Sequence, residues 1–111
     1  MKALSRAEEI ILIAVLKLED DAYGVSIRGL IHKDTGDKCS FASIYTPLDK
    51  LRRKGYVTKT KGAPLPARGG KSKFYYRLTP EGKKALIELY EAHQKVWSDI
   101  PQIMLELNRG K

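Results

Sequence analysis

The sequence predicts a mainly α protein with one small β-hairpin, an α+β arrangement, on three observations. Helical periodicity runs through residues 5–55 and returns from Thr79 to the C-terminus. Between these stretches, two β-branched and aromatic runs flank a Gly/Pro-rich segment. Ten of the 21 basic residues, and no acidic one, fall between Lys50 and Pro80. The hydrophobic fraction of 42% in 111 residues suits one folded domain and argues against disorder.

The elements follow in order. Ser5 and Glu8 stand at capping-box spacing, and Ile10–Leu18 continues as an apolar helix that the cluster Glu19, Asp20, Asp21 ends. A second helix is expected over Ala22–Lys33, with Tyr23, Ile27, Leu30 and Ile31 on one face. Gly24 and Gly29 each weaken it by about 1 kcal/mol unless they permit close packing. A turn around Gly36 leads to a third helix that starts at Ser40 or Ser43 and stops at Gly55. Ile44, Leu48 and Leu51 form its buried stripe; Ser43, Tyr45, Thr46, Asp49, Lys50 and Arg53 lie opposite. Pro47 removes an internal donor, so the first turns of this helix are expected to be irregular. Tyr56–Lys61 and Lys73–Leu78 read as an antiparallel hairpin with a long basic tip over Gly62–Gly70.

Thr79 and Pro80 then supply an N-cap and a first-turn proline for a long last helix. Its residues Leu86, Tyr90, His93, Trp97, Ile100, Met104 and Leu107 follow at alternating spacings of four and three, a coiled-coil seam that Leu89, Val96 and Ile103 widen. Pro101 is placed to bend it. A domain this small has nothing of its own to bury that seam against, so a homodimer is expected. His93, a polar residue on the seam, would set its register. Residues 1–79, the three helices and the hairpin, are read as one domain and 80–111 as the C-terminal dimerisation helix, together one compact unit.

Function classes narrow quickly. The longest apolar run, Ile10–Leu16, is seven residues, far short of a membrane span, and no secretory h-region is present. A single cysteine, Cys39, excludes a disulfide framework within one chain, and two histidines in different elements give no metal-ligand spacing. There is no catalytic constellation, and neither a cofactor nor an enzymatic role is expected. Outside Lys50–Pro80 the chain holds 11 basic and 13 acidic residues. The whole excess behind the formal charge of +8 therefore sits on the end of one helix and a hairpin, which favours a phosphate-binding surface. The expectation is a soluble, cytoplasmic protein that binds double-stranded DNA. Three helices followed by a basic hairpin describe a winged helix-turn-helix, whose third helix enters the major groove while the hairpin touches backbone or minor groove. Ser43, Tyr45, Thr46, Lys50 and Arg53 are the expected recognition-helix contacts, and Arg68, Lys71 and Lys73 those of the wing.

Several stretches resemble the PadR-type transcriptional regulators: Ala22-Tyr23-Gly24, Ser43-Ile44-Tyr45 with Leu48-Asp49-Lys50-Leu51, Lys54-Gly55-Tyr56-Val57, Gly69-Gly70-Lys71, and Tyr75-Tyr76-Arg77-Leu78-Thr79-Pro80-Glu81-Gly82. The last is the most specific, and the resemblance covers Ile10 to about Leu86. It implies a homodimeric repressor on a pseudo-palindromic operator, of the small subgroup with a single C-terminal helix that exchanges contacts with the partner subunit. Some small relatives bind a planar aromatic effector between subunits, and Tyr90 and Trp97 are the positions that carry over to such a pocket. Two other classes fit the same residues: an architectural or replication-associated DNA binder without an effector, and a basic protein-interaction module that docks an acidic chain.

Overall fold

The structure, a computed structural model, describes residues 4–64 and 72–110. Helix α1 spans Arg6–Leu18, and the expected capping box starts it. The Ser5 hydroxyl accepts the Glu8 N–H at 3.1 Å, and the Glu8 carboxylate accepts the Ser5 N–H at 2.8 Å. A single 3₁₀ turn, Glu19–Asp21, follows the acidic cluster. Helix α2 is Gly24–Thr35, and Gly36 closes it in the left-handed conformation at φ 80°. It begins two residues later than the sequence predicts. The reason lies across the chain: the Tyr76 N–H donates to the Ala22 carbonyl at 2.8 Å and Tyr23 bridges to Tyr75, so residues 22–23 are extended.

Helix α3, Phe41–Arg53, is capped by the Ser40 hydroxyl, which accepts the Ser43 N–H at 3.2 Å. It runs through Pro47 without interruption, so the irregular start expected from that proline is not found. Pro47 leaves the Ser43 carbonyl without its helical donor, but Ser43 is exposed and water can replace the lost partner. Strands β1 (Val57–Pro64) and β2 (Ser72–Leu78) pair antiparallel, Val57 opposite Leu78 and Lys61 opposite Phe74, with the register shifting before Pro64. The backbone order across the sheet is Tyr23, β2, β1.

The C-terminal segment forms two helices, α4 (Pro80–Trp97) and α5 (Ile100–Arg109), rather than one. The break at Ser98–Asp99 comes just ahead of Pro101, which occupies the first turn of α5, where a proline costs no hydrogen bond. The expected bend is therefore present. Thr79 caps α4, accepting the Gly82 N–H at 3.0 Å.

Ile11, Leu12 and Val15 of α1, Ile27 and Ile31 of α2, and Ile44, Leu48 and Leu51 of α3 meet in one core. Tyr56, Val57, Tyr76 and Leu78 close it from the hairpin side. The stripe read from α3 is the buried one. Beneath it lies a charge pair. Lys54, at the end of α3, reaches Glu8 of α1 at 2.7 Å, and the Glu8 side chain is only 5% exposed. Burial opposes ionisation of Glu8, but the Lys54 ammonium and the Ser5 cap together outweigh it and hold the carboxyl below its ordinary value. A depressed carboxyl contributes stability above its unfolded-state value and loses it as pH falls through the folded one. Lys54→Met leaves that carboxylate buried without its cation, and its expected cost at pH 7 is about 3 kcal/mol. Urea titrations should show the deficit shrinking towards pH 3 as Glu8 takes up a proton; a deficit independent of pH would contradict this account.

Among the described residues no helix is long and apolar enough to cross a membrane.

Candidate nucleic-acid interface

The exposed side of α3 carries Thr46, Lys50 and Arg53 at spacings of four and three, with Ser43 and Tyr45 flanking them in the first turns. Tyr45 is held from two sides. Its ring stacks on Phe41 with centroids 6.3 Å apart, and the Arg28 guanidinium lies 4.7 Å over the other member of that pair. Arg28 is fixed in turn by donating to the Cys39 carbonyl at 2.5 Å. The Tyr45 hydroxyl occupies the space that a side chain at Gly24 would need. Gly24 is thus a close-approach glycine between α2 and α3, whereas Gly29 faces open space and has no such role.

The hairpin stands beside this face. Tyr76 is buried beneath it, and burial, then the neighbouring Tyr45 phenol, push its hydroxyl above the ordinary tyrosine value, so it stays neutral at physiological pH. Lys59 sits 4.4 Å over the Phe74 ring and Lys73 4.1 Å over the Tyr23 ring, whose edge meets Tyr75 at 5.6 Å. Those ring contacts fix the direction of two lysine stems on an otherwise flexible side chain. Arg68 and Lys71 lie outside the described residues.

The basic run of the sequence is not one uniform surface. Lys54 turns inward to Glu8, Arg77 pairs with Asp20, and Arg52 and Arg53 both reach Asp49, at 3.0 and 2.8 Å. Lys50, Lys59, Lys61 and Lys73 have no acidic partner among the described residues, and they are the cations best placed for phosphate. Arg28 and Phe41, which pack beside Tyr45, were not singled out from the sequence, because Arg28 lies outside the charge run and Phe41 is apolar. The available signal was the position of Phe41 directly after the N-cap Ser40, in the turn that meets base edges in a helix-turn-helix.

At the far end, Leu86 and Leu89 are half-buried and His93 turns back on its own α1, its Nε2 3.0 Å from Glu9. Together with Ile13, Leu16 and Tyr90 they line an apolar groove of about 350 Å³. Trp97 is outside that groove. Beyond His93 the seam is bare: Val96 is 74% exposed, Trp97 53% and Leu107 67%, with Ile103 and Met104 close behind and Ile100 half-buried.

Three helices that present α3 beside a lysine-bearing two-stranded hairpin define a winged helix-turn-helix DNA-binding protein. Residues 12–88 match the model of the transcriptional regulator PadR-like family. The chain belongs to that family, and with it to the DNA-binding transcriptional regulators. Solved structures agree in fold. A transcriptional regulator from Clostridium thermocellum is 25% identical, with 86% of this chain and 89% of that one covered at a TM-score of 0.67. A PadR-like transcriptional regulator from Bacillus cereus is 23% identical, with coverages of 94% and 92% and a TM-score of 0.67. A PadR family transcriptional regulator from Eggerthella lenta is 26% identical, with coverages of 87% and 81% and a TM-score of 0.64. No curated protein matches the chain in sequence.

Proposed function

We propose that two copies of the chain form a repressor that binds a pseudo-palindromic operator in the cytoplasm. Residues 1–79 hold the DNA and 80–111 join the copies. The observation that carries the proposal is the bare seam of α4 and α5. The Cα radius of gyration is 17.1 Å, against about 13 Å for a compact domain of this length, and the long dimension is 60 Å. An arm that projects this far with Trp97, Ile103, Met104 and Leu107 in water is stabilised when a second copy covers it. Two-fold symmetry then repeats α3 on the same side of the dimer, with half-sites about one helical turn, ~34–36 Å, apart. Ser43, Tyr45, Thr46, Lys50 and Arg53 reach into the groove, and Lys73, with Arg68 and Lys71 of the wing, meets the backbone.

The test is duplex binding against salt with sedimentation run in parallel. With roughly 6–10 phosphates neutralised, affinity should fall ~10³–10⁵-fold between 50 and 200 mM salt. A flat salt response overturns the proposal. Equal affinity for a promoter fragment and random duplex favours the architectural reading, and no duplex binding at low salt favours the interaction module.

The same dimer places Tyr90, at the edge of the apolar groove, and the exposed Trp97 where a planar aromatic effector is enclosed between subunits. Titrating the lone tryptophan's fluorescence with planar aromatic compounds checks this. Quenching that saturates, accompanied by release of bound duplex, is the expected result; an unchanged signal removes the effector from the proposal.

A further inference from the structure

The DNA-facing side of α3 carries one anion among its cations. Asp49 follows Thr46 by three residues and precedes Arg53 by four, so it shares their face, and its side chain is 39% exposed. Each of its carboxylate oxygens receives a different arginine: Oδ1 takes Arg52 at 3.0 Å and Oδ2 takes Arg53 at 2.8 Å. For plain backbone attraction this is a poor arrangement, since it neutralises two guanidinium groups where phosphates would be met and adds a charge that phosphates repel. As a stabiliser of α3 it is weak as well, because exposed pairs at these spacings contribute only a few tenths of a kcal/mol. Its chemistry suits a different task.

We propose that Asp49 determines sequence specificity by accepting a hydrogen bond from an exocyclic base amino group, cytosine N4 first, in the major groove. The proposal rests on α3 being the recognition helix, as argued above. When α3 seats in the groove, water leaves Asp49, and the carboxylate lone pairs that Arg52 and Arg53 do not fill are costly to hold there without a hydrogen-bond donor. Guanine and thymine present O6 and O4 acceptors at the edge where cytosine and adenine present an amino group, so they repel it. Cytosine N4 supplies a donor. The two arginines keep the carboxylate pointing along the helix face, and a donor from the base takes over part of their hydrogen bonding to it, so that they can turn to phosphates. Away from its cognate sequence, Asp49 keeps Arg52 and Arg53 occupied and lowers affinity. Asp49 thus acts against wrong DNA as well as for the right one.

The experiment is affinity selection from a pool of random duplexes by the wild type, Asp49→Asn and Asp49→Ala, with salt titrations on unselected duplex and melting curves for all three. The expected wild-type consensus has one cytosine per half-site that depends on residue 49. Asp49→Asn should shift that position to adenine, whose N6 and N7 match a carboxamide. Asp49→Ala should leave it degenerate, with discrimination there reduced about 5–150-fold. Both variants should bind unselected duplex about three- to ten-fold more tightly, with a log–log salt slope steeper by about 1–2 per chain. A purely structural Asp49 would change melting and leave the base preference alone. An unchanged consensus in Asp49→Asn and Asp49→Ala, or weaker binding of unselected duplex by folded variants, overturns the proposal. A wild type that selects no sequence overturns the operator-binding function itself, and that failure is recognised without reference to either variant.

Discussion

Alanine at Gly82 is expected to cost about 3 kcal/mol or more, a large share of the 5–15 kcal/mol that holds a domain together. The reason is a junction of two segments 26 residues apart in sequence. The Thr79 N–H donates to the Tyr56 carbonyl at 3.0 Å, and the Thr79 hydroxyl donates to the Gly55 carbonyl at 2.6 Å while accepting from Gly82. Gly55 makes the turn at φ 80°, and the Tyr56 carbonyl then points straight into the place a Gly82 side chain would fill. Backbone on both sides leaves nothing flexible to give way. Gly29→Ala is the control: that glycine is exposed within α2 and nothing approaches it, so alanine should stabilise by about 0.5–1 kcal/mol. Chemical denaturation of both variants decides the matter, and a Gly82→Ala protein as stable as the parent would refute the packing described.

Aspartate at Ile103 should separate the two subunits without unfolding either. Ile103 is 44% exposed on α5 and stands outside the buried core of the described residues, so the isolated copy has little to lose. In the proposed dimer, two carboxylates would be carried into the apolar seam without partners, at several kcal/mol each. Sedimentation should report a monomer with unchanged helical circular dichroism. Operator affinity should fall by ~10²-fold or more, because the second half-site no longer benefits from the effective concentration that tethering provides. A dimer that survives the substitution would show that α5 is not the junction.

Much of this architecture was legible because it follows from local rules. The Ser5–Glu8 box, the Ile44–Leu48–Leu51 stripe, the Gly36 and Gly55 turns and the Thr79-Pro80 start are each set by neighbours within a few residues, and each is found. The late start of α2 was not legible, since Tyr23 is extended by pairing with Tyr75, 52 residues further on. Charge was legible in sum and illegible in use. A count of lysines and arginines does not reveal that Lys54 is turned to Glu8 or Arg77 to Asp20, because those acids lie in α1 and in the turn that follows it. Composition likewise concealed Arg28, which meets Phe41 of α3 only through the fold of the α2–α3 turn.

The pairing of Tyr23 with β2 has a further consequence. Ala22 and Tyr23 block the middle of the outer edge of β2, which leaves the outer side of β1 as the longer open flank, a row of backbone groups to which another chain's strand could add. Lys59 and Lys61 project from this strand, and Pro64 removes a donor near its end. The lysines that suit the wing to phosphate therefore also keep one wing from zipping onto another. On the proposed reading, neutralising both would trade weaker attraction to phosphate for an open strand edge without its guarding charges.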